Sequence, residues 1–223
     1  MSLKSDFKSI KNYVFDLDDT LYPPSEEIFG QMAARIRSFI MNLLGVDNDA
    51  AHKMQENYYK KYGATVRGLI LEHNIAPEEF NDYVHTLDLS SLNENKELKQ
   101  RLTRLSGHKF IFTNGAYEHA ERVSEKLGIG KCFDGIFSIR EANYIPKPAE
   151  ETFRRMLGHF KINPDESVMF DDSQVNLKSA HNVGMKTVWI THNDRDNRFN
   201  TLSETPDFCD YTTDDLISFL KKI

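Results

Sequence analysis

The chain has 223 residues, a formal net charge of −6 and an apolar fraction of 39%, enough for one core domain with a sizeable insertion or for two small domains. The acidic balance speaks against a general polynucleotide binder, because phosphate backbones select basic faces. Two cysteines, Cys132 and Cys209, cannot build a disulfide framework, so a reducing compartment is expected.

Residues 1–11 carry Lys4, Lys8 and Lys11 without an apolar stretch, which is not the pattern of a secretory leader. No window approaches the ~18 consecutive apolar residues of a membrane span. The sequence therefore reads as cytoplasmic, with no membrane partner and no internal repeat.

Tyr13-Val14-Phe15 is an apolar run that stops at Asp16-Leu17-Asp18-Asp19-Thr20, the pattern of a buried strand ending in acids. Tyr22-Pro23-Pro24 breaks it, and Ser25 is expected to cap a helix with Glu26 and Glu27 in its first turn. Ile28, Met32, Ile36, Phe39, Ile40 and Leu43 follow at helical spacing up to Gly45, which ends the helix. Residues 47–84 stay helical in pattern, with Pro77 placed to open a short helix.

Beyond Leu98, Leu102 and Leu105 the period changes. Phe110-Ile111-Phe112 predicts a strand ending at Thr113-Asn114-Gly115, followed by a helix closed by Gly128. Ile136-Phe137-Ser138-Ile139, Val168-Met169-Phe170 and Thr187-Val188-Trp189-Ile190 predict further strands, with helices between them and a final helix over residues 216–220. Strand–helix alternation from Lys109 onward predicts an α/β domain with a parallel sheet. The all-helical stretch then reads as an insertion. The expected division is a core of residues 1–22 and 94–223 around a helical unit of residues 23–93.

Three predicted strands end in polar groups: Asp16 and Asp18, Thr113 and Asn114, Asp171 and Asp172. In open α/β sheets, ligands bind outside the carboxyl ends of the strands, so the three sets can converge, with Lys147 supplied by an intervening loop. Clustered carboxylates demand a cation, and an all-oxygen set without cysteine or histidine at ligand spacing suits Mg²⁺. Magnesium, a lysine and hydroxyl or backbone donors form a receptor for a phosphoryl group. A remaining carboxylate can serve as nucleophile and another as proton carrier.

Phe15-Asp16-Leu17-Asp18-Asp19-Thr20-Leu21 resembles the D-x-D-x-T signature of the haloacid dehalogenase-like hydrolases. Phe112-Thr113-Asn114, Lys147-Pro148 and Phe170-Asp171-Asp172-Ser173 resemble that superfamily's other three motifs, in the same order. Within it the chain is most similar to the pyrimidine 5′-nucleotidases of the yeast and plant type. The residues that carry this finer likeness are Asp18-Asp19-Thr20-Leu21-Tyr22-Pro23, Tyr58-Tyr59-Lys60-Lys61-Tyr62-Gly63 with Arg67-Gly68-Leu69, and Phe133-Asp134-Gly135-Ile136. Asn176 stands where many relatives have a further aspartate.

The resemblance implies a Rossmann-like core under a helical cap, and the following roles. Asp16 is the nucleophile and Asp18 the general acid and base. Mg²⁺ is held by Asp16, the Asp18 carbonyl and Asp172, with Asp171 nearby. Thr113, Asn114 and Lys147 bind phosphate. Tyr22, Tyr62 and Arg67 are the residues expected to touch the rest of a small phosphorylated metabolite, with a nucleoside monophosphate as the leading substrate. The eight histidines are taken as surface or core residues. Other small phosphate esters, a phosphomutase and a phosphorylation-switched receiver domain are the alternatives. The receiver domain is disfavoured because it has no helical insertion after its first strand.

Overall fold

The short apolar runs all become strands of one sheet, because each alternates its side chains between two covered faces. The computed structural model of the chain describes residues 3–24, 26–192 and 205–223. Its strands are β1 (Asn12–Phe15), β2 (His108–Phe112), β3 (Gly135–Phe137), β4 (Ser167–Asp171), β5 (Lys186–Ile190) and β6 (Tyr211–Thr213). All pairings are parallel, in the order β3-β2-β1-β4-β5-β6. The helices are α1 (Leu3–Asp6), α2 (Glu26–Leu44), α3 (Asn48–Tyr62), α4 (Thr65–His73), α5 (Pro77–Val84), α6 (Lys96–Arg104), α7 (Tyr117–Lys126), α8 (Glu150–Phe160), α9 (Gln174–Asn182) and α10 (Leu216–Leu220).

The two faces of the sheet carry two separate cores. Tyr13, Phe15, Ile111, Phe170 and Val188 pack with Leu98 and Leu102 of α6, Ala120 and Val123 of α7, and Phe219 of α10. Val14, Phe112, Met169 and Trp189 point the other way, against Phe153 and Met156 of α8 and Leu177 and Ala180 of α9. Helices thus cover both faces in a doubly wound α/β fold, as the strand–helix alternation predicts.

The helical stretch between β1 and α6 builds most of a third core, which Ile139, after β3, joins. Phe39 and Ile40 of α2, Ala51 and Tyr58 of α3, Val66 and Leu69 of α4, and Phe80 and Val84 of α5 pack together. The helix ends expected at Gly45 and Gly128 fall at glycines with φ of +67° and +73°, a region that side chains with a Cβ enter at a cost. Pro77 occupies the first turn of α5. The cap expected at Ser25 lies outside the described residues.

Two expectations are corrected. The strand placed over residues 136–139 ends at Phe137, because the Ser138 main-chain N–H and hydroxyl both donate to the Glu141 carboxylate and turn the chain. Strand β6 was not expected from the sequence, since Tyr211-Thr212-Thr213 is an edge strand held by β5 rather than by an apolar run. Among the described residues no helix is long and apolar enough to cross a membrane.

Candidate active site

The strand order reverses between β1 and β4, the two central strands, and in open α/β sheets a crevice opens at the carboxyl ends of the strands there. Asp16 leaves β1 with its main-chain N–H still donating to the Phe170 carbonyl at 2.8 Å. Asp171 is the last residue of β4. Thr113 follows β2, its N–H donating to the Phe137 carbonyl at 3.0 Å. Strand pairing therefore brings three stretches, far apart in sequence, to one edge.

Lys147 closes the floor of the crevice. Its Nζ donates to Asp16 Oδ1 at 2.7 Å, to Asp171 Oδ2 at 2.9 Å and to the Phe112 carbonyl at 2.9 Å, and the residue is only 2% exposed. Burial works against its charge, but Asp16 and Asp171 outweigh it and raise the lysine's pKa. Asn114 holds the loop that delivers it: Oδ1 accepts from the Lys147 N–H at 2.7 Å and Nδ2 donates to the Lys147 carbonyl at 3.1 Å. The Asn114 side chain is thus committed to the lysine's backbone. Thr113 is buried, and its Oγ1 accepts from the Gly115 N–H at 2.9 Å.

Asp16, Asp171 and Asp172 each bring an oxygen within 4.8 Å of the others. Their electrostatics call for a cation. Burial, opposed by Lys147 and reinforced by Asp171, pushes the Asp16 carboxyl up to about 8. Burial together with Asp171 and Asp16 lifts Asp172 well above the ordinary carboxylate range. One lysine cannot neutralise three acids, but a divalent ion together with that lysine can.

The donors are all oxygens, so they fit a hard cation such as Mg²⁺. Asp171 is fully buried and accepts from Lys147 Nζ, the Ser173 N–H and Asn176 Nδ2. This makes it a brace for the lysine as well as one of the three acids that could hold a cation. Asn176, at the position where an acid is common, is spent on Asp171. The Trp189 indole N–H donates to the Asp172 carbonyl at 2.9 Å and steadies that backbone.

Asp18 points elsewhere. Its Oδ1 accepts from the Tyr22 hydroxyl at 2.5 Å and from His119 Nε2 at 2.9 Å. Burial raises its pKa, but His119 and Tyr22 outweigh that and hold the carboxyl down to about 2. Burial and the Asp18 charge raise the Tyr22 phenol, so it stays a donor. His85 packs its ring 5.1 Å from that of His119. Burial, then His119, lowers its pKa to about 4. Neither histidine was singled out from the sequence, where nothing near them marks them as partners of Asp18.

Above these groups lies a cavity of about 650 Å³ whose lining includes Asp16, Asp18, Tyr22, Thr113, Asn114, Lys147 and Asp172. Its far wall comes from the helical unit, through Phe29, Met32, Ile36 and Arg37 of α2, Gln55 and Tyr59 of α3, and Asn81 of α5. Tyr62 and Arg67, expected there, do not line it. The Tyr62 hydroxyl instead donates to Glu72 at 2.6 Å. Tyr59, three positions back on α3, takes the cavity-facing place, since three residues on a helix turn the side chain by about one revolution less 60°.

A profile of the haloacid dehalogenase-like hydrolases matches residues 10–184. The chain is 31% identical over 191 residues to Phosphate metabolism protein 8 of Saccharomyces cerevisiae, covering 78% of this chain and 60% of that protein. The chain thus spans less than two thirds of this relative's length. It is 28% identical over 201 residues to Glyceraldehyde 3-phosphate phosphatase of Pyrococcus furiosus, covering 83% of this chain and 82% of that one. In fold it matches a haloacid dehalogenase-like family protein from Streptococcus pneumoniae, with a TM-score of 0.60 and 16% identity over 96% of this chain and 98% of that chain. A HAD phosphatase from Thermococcus onnurineus gives a TM-score of 0.58 and 20% identity over 91% and 93% of the two chains.

Proposed function

The chain belongs to the haloacid dehalogenase-like hydrolases, and within that family we propose that it is a Mg²⁺-dependent cytoplasmic phosphomonoesterase acting on a pyrimidine nucleoside 5′-monophosphate. The observation that carries the reading is the Asp16–Lys147 contact of 2.7 Å on the floor of a cavity that Asp18 and Asp172 also line.

In this reading an Asp16 carboxylate oxygen attacks the phosphorus, and the ester P–O bond breaks to leave a phosphoaspartate. Asp18, ionised in the free chain, takes up a proton from the bound phosphate monoanion and gives it to the departing alcohol oxygen. The Asp18 carboxylate then takes a proton from a water molecule as that water attacks the same phosphorus, which releases inorganic phosphate and restores Asp16. Lys147 neutralises Asp16 and the charge that develops on the phosphoryl oxygens, aided by donors at Thr113 and the amides that follow it. Mg²⁺, held by the Asp16 and Asp172 carboxylates and the Asp18 carbonyl, would supply the remaining positive charge. The helical unit of residues 23–93 would act as a cap that excludes water from the reaction.

The cavity volume of about 650 Å³ and its lining by Phe29, Tyr59, Met32 and Ile36 support a leaving group with a large, partly aromatic body. The name of the Pyrococcus furiosus relative favours a second reading, a three-carbon sugar phosphate. Phosphate release with Mg²⁺ from uridine and cytidine monophosphates, purine nucleotides, phosphoglycolate and glyceraldehyde 3-phosphate separates the two. The first reading expects the pyrimidine nucleotides to lead in kcat/KM, and a lead for glyceraldehyde 3-phosphate replaces it with the second. Asp16→Asn is expected to lower kcat by ~10³-fold or more on every ester. Retained turnover in that variant would remove Asp16 as nucleophile.

A further inference from the structure

Asp18 is gripped from one side only. Both of its side-chain hydrogen bonds, from Tyr22 and from His119 at 2.9 Å, end on Oδ1. Among the described residues no donor reaches Oδ2. His119 belongs to the first turn of α7, its side chain is only 1% exposed, and it lies 101 positions from Asp18 in sequence. Its Nδ1 has no hydrogen-bond partner among the described residues. The single hydrogen bond of this buried ring is therefore the one to Asp18, and it requires the hydrogen on Nε2, because a carboxylate can only accept.

Leaving a buried ring nitrogen unpaired costs stability, so the ring is kept where it is against a penalty. Its neighbours hold it there. A Cβ on Gly115 would stand 3.3 Å from His119 Cδ2, tighter than an ordinary contact, so a glycine at this position leaves the ring its room. The His85 ring packs against it at 5.1 Å. One turn further along α7, Arg122 donates to the main-chain carbonyls of His85 at 3.0 Å and Leu87 at 2.8 Å. The helix that carries His119 is thereby tied to the segment returning from the helical unit.

We propose that His119 is a positioning residue for proton transfer: by holding Asp18 through Oδ1, it presents Oδ2 as the oxygen that exchanges the proton. This rests on the reading of Asp18 as general acid and base given above. In the first half-reaction the proton on Oδ2 passes to the leaving oxygen as the P–O bond breaks. In the second, Oδ2 takes a proton from the attacking water and releases it to the departing phosphate or solvent, so Asp18 ends as the carboxylate it began as. His119 keeps its own hydrogen throughout.

The test uses two amide variants that differ only in reach. His119→Gln can place an amide nitrogen where Nε2 stood, and His119→Asn cannot reach Asp18. Each is assayed with Mg²⁺ on an alcohol ester (uridine 5′-monophosphate, or glyceraldehyde 3-phosphate if that is turned over faster) and on p-nitrophenyl phosphate, whose leaving group needs little protonation. The readout is kcat/KM, which covers only the steps through phosphoenzyme formation.

His119→Asn is expected to lose ~10–100-fold on the alcohol ester and less than about threefold on the aryl ester, a loss below the ~10²–10⁴-fold of removing the general acid itself. His119→Gln is expected to recover to within about fivefold of the unaltered enzyme on the alcohol ester. Equal losses on both esters, or no recovery with Gln, overturn the proposal. Asp18→Asn is run in parallel. If its loss depends on the leaving group while that of His119→Asn does not, the proposal alone falls. If Asp18→Asn lowers both esters equally, the acid–base reading of Asp18 falls and takes the proposal with it.

Discussion

Lys147 Nζ lies 2.9 Å from Asp171 Oδ2, and both side chains are closed off from solvent. A loop lysine thus meets the last residue of a central strand inside the protein, where the same ammonium also serves Asp16. Breaking a buried pair from one side strands the other charge. Lys147→Met is therefore expected to cost about 3–5 kcal/mol in unfolding free energy as well as activity. Adding Asp171→Asn should recover part of that stability, because it removes the stranded carboxylate. Denaturant unfolding of the two single variants and the double variant measures the coupling directly.

Asp16, Asp171 and Asp172 repel one another across less than 4.8 Å, so cation binding should stabilise the fold. At a Mg²⁺ concentration about 100 times its Kd the gain expected from mass action is about 2.7 kcal/mol. Asp172→Asn is expected to abolish most of the rise in Tm with Mg²⁺. The same substitution should raise the Tm of the chelator-treated protein, because it relieves a like-charge contact. A fall in both conditions would contradict the assignment of Asp172 to the metal.

His85 makes a pH prediction. Burial and the neighbouring His119 lower its pKa to about 4 in the folded chain, against about 6.5 unfolded. Between these values the unfolded state binds more protons, so stability is fully present above about pH 6.5 and is lost as pH falls toward 4. From pH 7 to pH 5 the loss from this one group is about 2 kcal/mol. His85→Asn can keep the donor that Nδ1 offers to the Asn81 carbonyl and cannot titrate. Its stability should fall less between those two pH values, measured in metal-free protein.

Tyr59 and Tyr62 sit on the same helix with opposite expected consequences. Tyr59 lines the cavity and is 44% exposed, so its ring borders the space that a planar leaving group would fill. Tyr59→Ala is expected to raise KM for a nucleotide by about tenfold, in keeping with the stacking energy of a base on an aromatic ring. Tyr62→Ala removes a contact with Glu72 outside the cavity and should leave KM within about twofold. Steady-state kinetics on the best nucleotide substrate distinguishes the two positions.

What could be read from the sequence alone was what neighbours in the chain decide. Strands followed from apolar runs such as Tyr13-Val14-Phe15 and Val168-Met169-Phe170, and helix ends followed from Gly45 and Gly128. Acids at strand ends marked the edge where the candidate site forms, because a parallel sheet collects the ends of its strands on one side. Contacts between distant segments were left to the tertiary structure. It put His119 on Asp18 across 101 positions and Asn114 on the backbone of Lys147 across 33. It spent Asp171 and Asn176 on bracing the lysine, and it turned Tyr59 rather than Tyr62 toward the cavity. Periodicity is a local signal that survives in one dimension, whereas a hydrogen bond depends on ångström-scale placement that only packing supplies.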